Sequence, residues 1–176
     1  RPMRLIASAL LAGVALLGAA CGDDDATGDD TTTSAAPAAP AACAEVYPAG
    51  GGEPEGPDAV EGRGEPEMEA CEPAGELEVI DQVEGTGAEV PEGGTVTVHY
   101  KGVAAATGEM FDASWSRGDT ITFGLNEVIP GWTQGLVGMK EGGRRVLVIP
   151  PELGYGNAGP APGDSLVFTV DLVSVS

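Results

Sequence analysis

Residues 76–176 predict an α+β fold: an antiparallel sheet with one short helix laid on its apolar face. Three observations carry this. Short segments alternate apolar and polar residues, the period of two that a half-buried strand requires. Gly and Pro interrupt the alternation at the points where strands must turn. One run alone, "PGWTQGLVGMK", has helical spacing, with Trp132, Leu136 and Met139 on a common face.

The elements follow in order. "ELEVIDQV" is the first strand, and "EGTGAEVPEGG" is a loop. "TVTVHYKG" alternates strictly, with Val96, Val98 and Tyr100 on one face and Thr95, Thr97, His99 and Lys101 on the other. "VAAATGEMFDAS" turns at Thr107–Gly108 and returns as a strand, with Phe111 and Asp112 near its end. "DTITFGLN" is short and places Ile121 and Phe123 on one face. Pro130 suits the first turn of the helix, where a missing N–H costs nothing, and "EGG" closes it. "RRVLVIP" and "DSLVFTVDLVSV" complete the sheet. In the last strand Leu166, Phe168, Val170 and Leu172 share a face.

The 176 residues include 28 acidic and 8 basic side chains, for a formal net charge of -20. Nucleic acid is excluded as a partner, because phosphate binding needs a basic footprint. Residues 22–75 have neither helical nor strand periodicity, and Tyr47 is their one aromatic. Such a segment buries too little apolar surface to offset its ordering entropy. It is expected to be a disordered acidic tether, with an end-to-end distance of roughly 40 Å. There is no phosphate loop and no nucleophile–base pair. The single His99 lies on the Thr/Lys face of its strand, where a structural or solvent-facing role is expected. Three Cys and one His show no zinc-site spacing, so no metal or cofactor is expected.

The N-terminus, "RPMRLIASALLAGVALLGAACGDDD", runs from a basic start through an apolar stretch, Leu5 to Ala20, into Cys21. The stretch falls short of the roughly 20 residues of a spanning helix and ends in small residues, as export signals do. It resembles a bacterial lipoprotein signal over residues 1–21, although Leu17 in "LGAAC" stands one position earlier than usual. The resemblance implies lipidation at Cys21 and anchoring at the outer face of the cytoplasmic membrane. The alternative is an ordinary secretory signal with an incidental Cys, and a secreted protein. With Cys21 acylated, Cys43 and Cys71 remain as a pair in a compartment where disulfides persist. They are expected either to bridge or to be two separate thiols.

"VTVHYKG", "FDAS", "VIPGWTQGLVGMKEGGRRVLVIPPELGYG" and "LVFTVDL", in this order, resemble the FKBP-type peptidyl-prolyl cis-trans isomerases. The resemblance covers residues 76–176. It implies a twisted antiparallel sheet wrapped around one short helix, with a pocket between them. By this resemblance Tyr100 lines the pocket, and Phe111 and Asp112 supply an aromatic wall and a carboxylate. Val128 and Ile129 form a further wall, and the Ile129 N–H is the donor to a substrate carbonyl. Trp132 is the floor, Tyr155 offers a phenol, and Phe168 closes the back. Ile121 stands where the family commonly has a second pocket Phe, ahead of Phe123. The loop "GNAGPAPGDS" after Tyr155 lacks the bulky apolar residues that many members carry. Proline-containing polypeptides are the implied substrates, with macrolides of the rapamycin type as further ligands and exported proteins as the folding clients. A non-catalytic module that holds proline segments, as a chaperone or adaptor, is the competing reading. A solute-binding lipoprotein is excluded, because about 100 residues cannot form two lobes.

Overall fold

A computed structural model describes residues 40–176. The expected signal, the expected lipidation site Cys21 and the first part of the expected tether lie outside the described residues.

Six strands form one antiparallel sheet: β1 (Glu78–Val83), β2 (Thr95–Ala104), β3 (Met110–Ala113), β4 (Ile121–Gly124), β5 (Arg144–Ile149) and β6 (Leu166–Val175). Their spatial order is β1-β5-β6-β2-β3, with β4 also paired to β2. The long β2 serves two partners along one edge. Thr95–Val98 pairs with β4, and Lys101–Val103 pairs with β3. Its other edge pairs with β6 from Val96 to Ala104. Three helices are α1 (Cys43–Val46), α2 (Asp58–Gly62) and α3 (Pro130–Leu136).

α3 starts where the sequence places it. Pro130 occupies its first turn, behind an extended N-cap at Ile129, and the Thr133 hydroxyl donates to Leu125 O at 2.6 Å. It ends earlier than the spacing predicts. Val137 leaves the helical region, and Gly138 turns the chain at φ 79°. Met139 therefore lies beyond the helix, yet it is buried with Trp132 and Leu136. The sequence also sets the height of α3 over the sheet. A Cβ on Gly131 would sit 2.4 Å from Ile149, and one on Gly135 would sit 2.6 Å from Leu147. Only glycines allow the helix backbone this close to β5.

The second face of the sheet corrects two expectations. Residues 40–75 are not a disordered tether. They form a strap across the outer face of the sheet. Cys43 and Cys71 are joined by a disulfide, with Cα atoms 4.8 Å apart. Ala42 bridges Glu72, Glu55 bridges Gly85, and Cys71 N–H donates to Ala105 O at 2.9 Å. Tyr47, Cys43 and Cys71 are buried together with Val103, Val146, Val148 and Val167. Polar contacts fasten the strap further. The Asp171 carboxylate, fully buried, is bound bidentately by Arg144 at 2.7 Å per oxygen. Arg63 of the strap reaches it at 3.1 Å. Lys101 donates to Pro66 O at 3.1 Å. Composition misleads here, because one short disulfide-closed loop needs few apolar residues to stay ordered. The strap also corrects β6, which has no solvent face over most of its length. Every residue from Leu166 to Leu172 is buried, since α3 covers one side and the strap the other.

Candidate active site

A cavity of about 610 Å³ opens on the inner face of the sheet beside the start of α3. β2 contributes Tyr100, β3 contributes Phe111 and Asp112, and β4 contributes Ile121 and Phe123. The turn into α3 supplies Val128 and Ile129, and α3 supplies Trp132. Phe168 comes from β6, and Tyr155 comes from the loop after β5. The chain thus brings all the sequence-predicted pocket residues to one place. Two further lining residues, Glu127 and Pro160, escaped the sequence reading.

Trp132 is the centre of the aromatic set. Its ring lies 5.1 Å from Phe168 at 85°, 5.5 Å from Tyr100 at 82° and 5.1 Å from Phe123 at 59°. Edge-to-face contacts of this kind add to the stabilisation from area burial alone. Phe111 meets Phe168 edge-on at 5.5 Å. Gly102 makes room for both, because a Cβ there would stand 2.7 Å from each ring.

The polar edge is built on Asp112. The Tyr100 hydroxyl donates to Asp112 Oδ2. Arg117 donates from Nη1 to Asp112 Oδ1 at 2.6 Å and from Nη2 to the Tyr100 oxygen at 2.8 Å. Arg117 sits on a 3-10 turn, Trp115–Arg117, directly after β3. Burial pushes the Asp112 carboxyl up, but the hydrogen bonds from Tyr100 and Arg117 and the guanidinium charge outweigh it. The carboxyl therefore titrates below its ordinary value. The Tyr100 phenol is pushed up, first by burial and then by its bond to the carboxylate. The consequence for stability has a definite sign. A depressed folded pKa means that the carboxylate stabilises the fold above the ordinary carboxylate range, and that this contribution is lost as pH falls through the depressed value. In Arg117→Leu the Asp112 pKa should rise toward its ordinary value, read by NMR titration of the side-chain carboxyl. An unmoved titration would remove the guanidinium as the cause.

His99 lies outside the cavity. Its Nδ1 is 2.9 Å from the buried Ser114 Oγ, and its ring stacks on Trp115 at 5.2 Å. Two groups at the cavity have no protein partner among the described residues. The Ile129 N–H donates to none, and the Tyr155 phenol, half exposed, bonds to none. Among the described residues no group of three His, Cys, Asp or Glu side chains is placed to hold a metal ion.

A model of the FKBP-type peptidyl-prolyl cis-trans isomerases matches residues 87–173. The chain is 51% identical over 111 residues to an FK506-binding protein of Streptomyces anulatus, covering 59% of this chain and 90% of that protein. It is 54% identical over 102 residues to a probable FK506-binding protein of Corynebacterium glutamicum, covering 56% and 86%. FkpA of Escherichia coli (strain K12), an FKBP-type peptidyl-prolyl cis-trans isomerase, is 48% identical over 101 residues, which are 37% of its own length. The crystal structure of FkpA from Escherichia coli matches with a TM-score of 0.53 at 44% identity, covering 57% of this chain and 48% of that one. AtFKBP13 matches with a TM-score of 0.52 at 35% identity, covering 57% and 93%. The strap precedes the residues that the family model matches. The aromatic cavity, the sheet that carries it and these relatives lead to one assignment: the chain belongs to the FKBP-type peptidyl-prolyl cis-trans isomerase family.

Proposed function

We propose that this isomerase acts on Xaa–Pro bonds of exported polypeptides and assists their folding at the outer face of the cytoplasmic membrane, held there by acyl chains on Cys21. The observation that carries the site assignment is an aromatic cavity with two unpartnered donors, Ile129 N–H and the Tyr155 phenol. The disulfide of the strap favours an oxidising compartment, because such bonds persist outside the cytosol.

Rotation about the peptide bond meets a barrier of about 18–20 kcal/mol, set by amide resonance. No bond to carbon is made or broken, so the task is to favour the twisted amide. Twisting removes resonance, which makes the carbonyl less polar and the nitrogen pyramidal. A dry aromatic pocket lined by Trp132, Phe111 and Phe168 takes the proline ring and suits the twisted state better than the planar, well-hydrated amide. The Ile129 N–H and the Tyr155 phenol hold the neighbouring carbonyls and so fix the twist. Asp112, already bonded to Tyr100 and Arg117, shapes the rim and is not a general base. Catalysis then comes from binding the transition state more tightly than either ground state.

A protease-coupled cis/trans assay on short Xaa–Pro peptides tests this. Tyr155→Phe should lower kcat/KM by up to about tenfold, the size of one lost hydrogen bond, and Asp112→Ala should lower it by freeing Tyr100 and Arg117 at the rim. Binding of unfolded protein without any acceleration by the wild type would instead support a holding module. Fatty-acid labelling that persists in Cys21→Ser would reject the anchor.

A further inference from the structure

We propose that Glu127 makes this site select proline segments that carry a lysine or arginine beside the proline. The proposal rests on the isomerase reading above and names its preferred substrates. Two carboxylates line the cavity, those of Asp112 and Glu127. They differ in what faces them. Asp112 is held by Arg117 at 2.6 Å and by the Tyr100 phenol, so its charge is already matched. Glu127 has no cationic partner among the described residues. Its nearest polar contact is a long one, with Oε2 3.4 Å from the Gly124 N–H. Among the described residues no Lys or Arg lines the cavity. The unmatched charge in the wall is therefore negative.

Its place in the chain decides what it can reach. Glu127 directly precedes Val128 and Ile129, the lip whose N–H has no protein partner among the described residues. A polypeptide held at that N–H brings its side chains past the Glu127 carboxylate. A cation beside the proline then has this exposed, unmatched carboxylate to pair with. An anion there meets repulsion with nothing to relieve it. The net charge of -20 also attracts cations from a distance, but salt screens that field beyond roughly 10 Å. Only a contact charge gives a preference that disappears with one side chain. Exposed ion pairs change equilibria by about two- to fivefold, so the discrimination between a lysine and a glutamate peptide should be of that size or somewhat larger.

The test uses Xaa–Pro peptides identical except for Lys, Gln or Glu beside the proline. Turnover is read in the coupled assay and affinity by fluorescence anisotropy of labelled peptides. The full chain is compared with Glu127→Gln and with Glu45→Gln, which removes the same charge from the strap. The wild type should favour Lys over Glu at least twofold in kcat/KM. Glu127→Gln should bring the ratio close to one, and Glu45→Gln should leave it in place. An unchanged ratio in Glu127→Gln would overturn the proposal, as would an equal fall in both variants. If no peptide is turned over while the lysine preference persists in affinity and depends on Glu127, the catalytic reading fails and the selection stands.

Discussion

Trp132→Ala should lower folding stability by about 3–5 kcal/mol, as other large-to-small aromatic substitutions in cores do. It should also remove nearly all acceleration of Xaa–Pro rotation. The first effect follows from burial. The ring is 5% exposed, and its loss would leave Tyr100, Phe123 and Phe168 facing a void that the sheet cannot close. The second follows from position, since the same ring lines the cavity. Trp132→Phe separates the two. It keeps most of the packing but moves the floor of the pocket, so urea midpoints should shift modestly while kcat/KM falls further. A destabilised Trp132→Ala protein with wild-type turnover, measured well below its unfolding range, would reduce the ring to a packing residue.

Replacing both Cys43 and Cys71 by Ser should cost about 3.5 kcal/mol, the loop-closure contribution of a bridge between residues 28 apart. The measurement is the urea midpoint of oxidised wild type against the double variant. The loss should reach beyond the loop itself. A freed strap uncovers Val103, Val146, Val148 and Val167, and it withdraws Arg63 from the buried Asp171. Hydrogen exchange should therefore rise in β5 and β6, whose outer face the strap covers. Unchanged stability would mean that the buried contacts alone fasten the strap.

Much of this architecture was legible in the sequence. The strict alternation of "TVTVHYKG" fixed the inner face of β2, because a period of two has one solution once one face is apolar. The aromatic residues at the cavity were legible through the resemblance of "FDAS", "VIPGWTQGLVGMK" and "LVFTVDL" to the FKBP-type isomerases, since periodicity alone marks them only as core. The Cys43–Cys71 pairing was legible as one of two alternatives, but the ordered strap around it was not. Its order comes from a long-range bridge and from Arg63 meeting a carboxylate far along the chain, and neither leaves a local period. The burial of both faces of β6 depended on the strap and was missed with it. Arg117 was missed although it follows Asp112 closely in "FDASWSR", because its role depends on a 3-10 turn aiming it back at Tyr100. Glu127 was missed because an acidic residue in so acidic a chain carries no compositional signal.

The position of β6 fixes an order of assembly. β1 pairs with β5, while β2 pairs with β3 and β4, and β6 alone joins these two half-sheets through β5 and β2. It also follows the other five described strands in sequence. A chain emerging from its N-terminus therefore lacks the strand that joins the two sets of pairings until β6 arrives. Pairings so distant in sequence make for slow closure. The cysteines, only 28 residues apart, are both present long before that. Oxidation can precede folding, so the strap is tied before there is a sheet for it to cover.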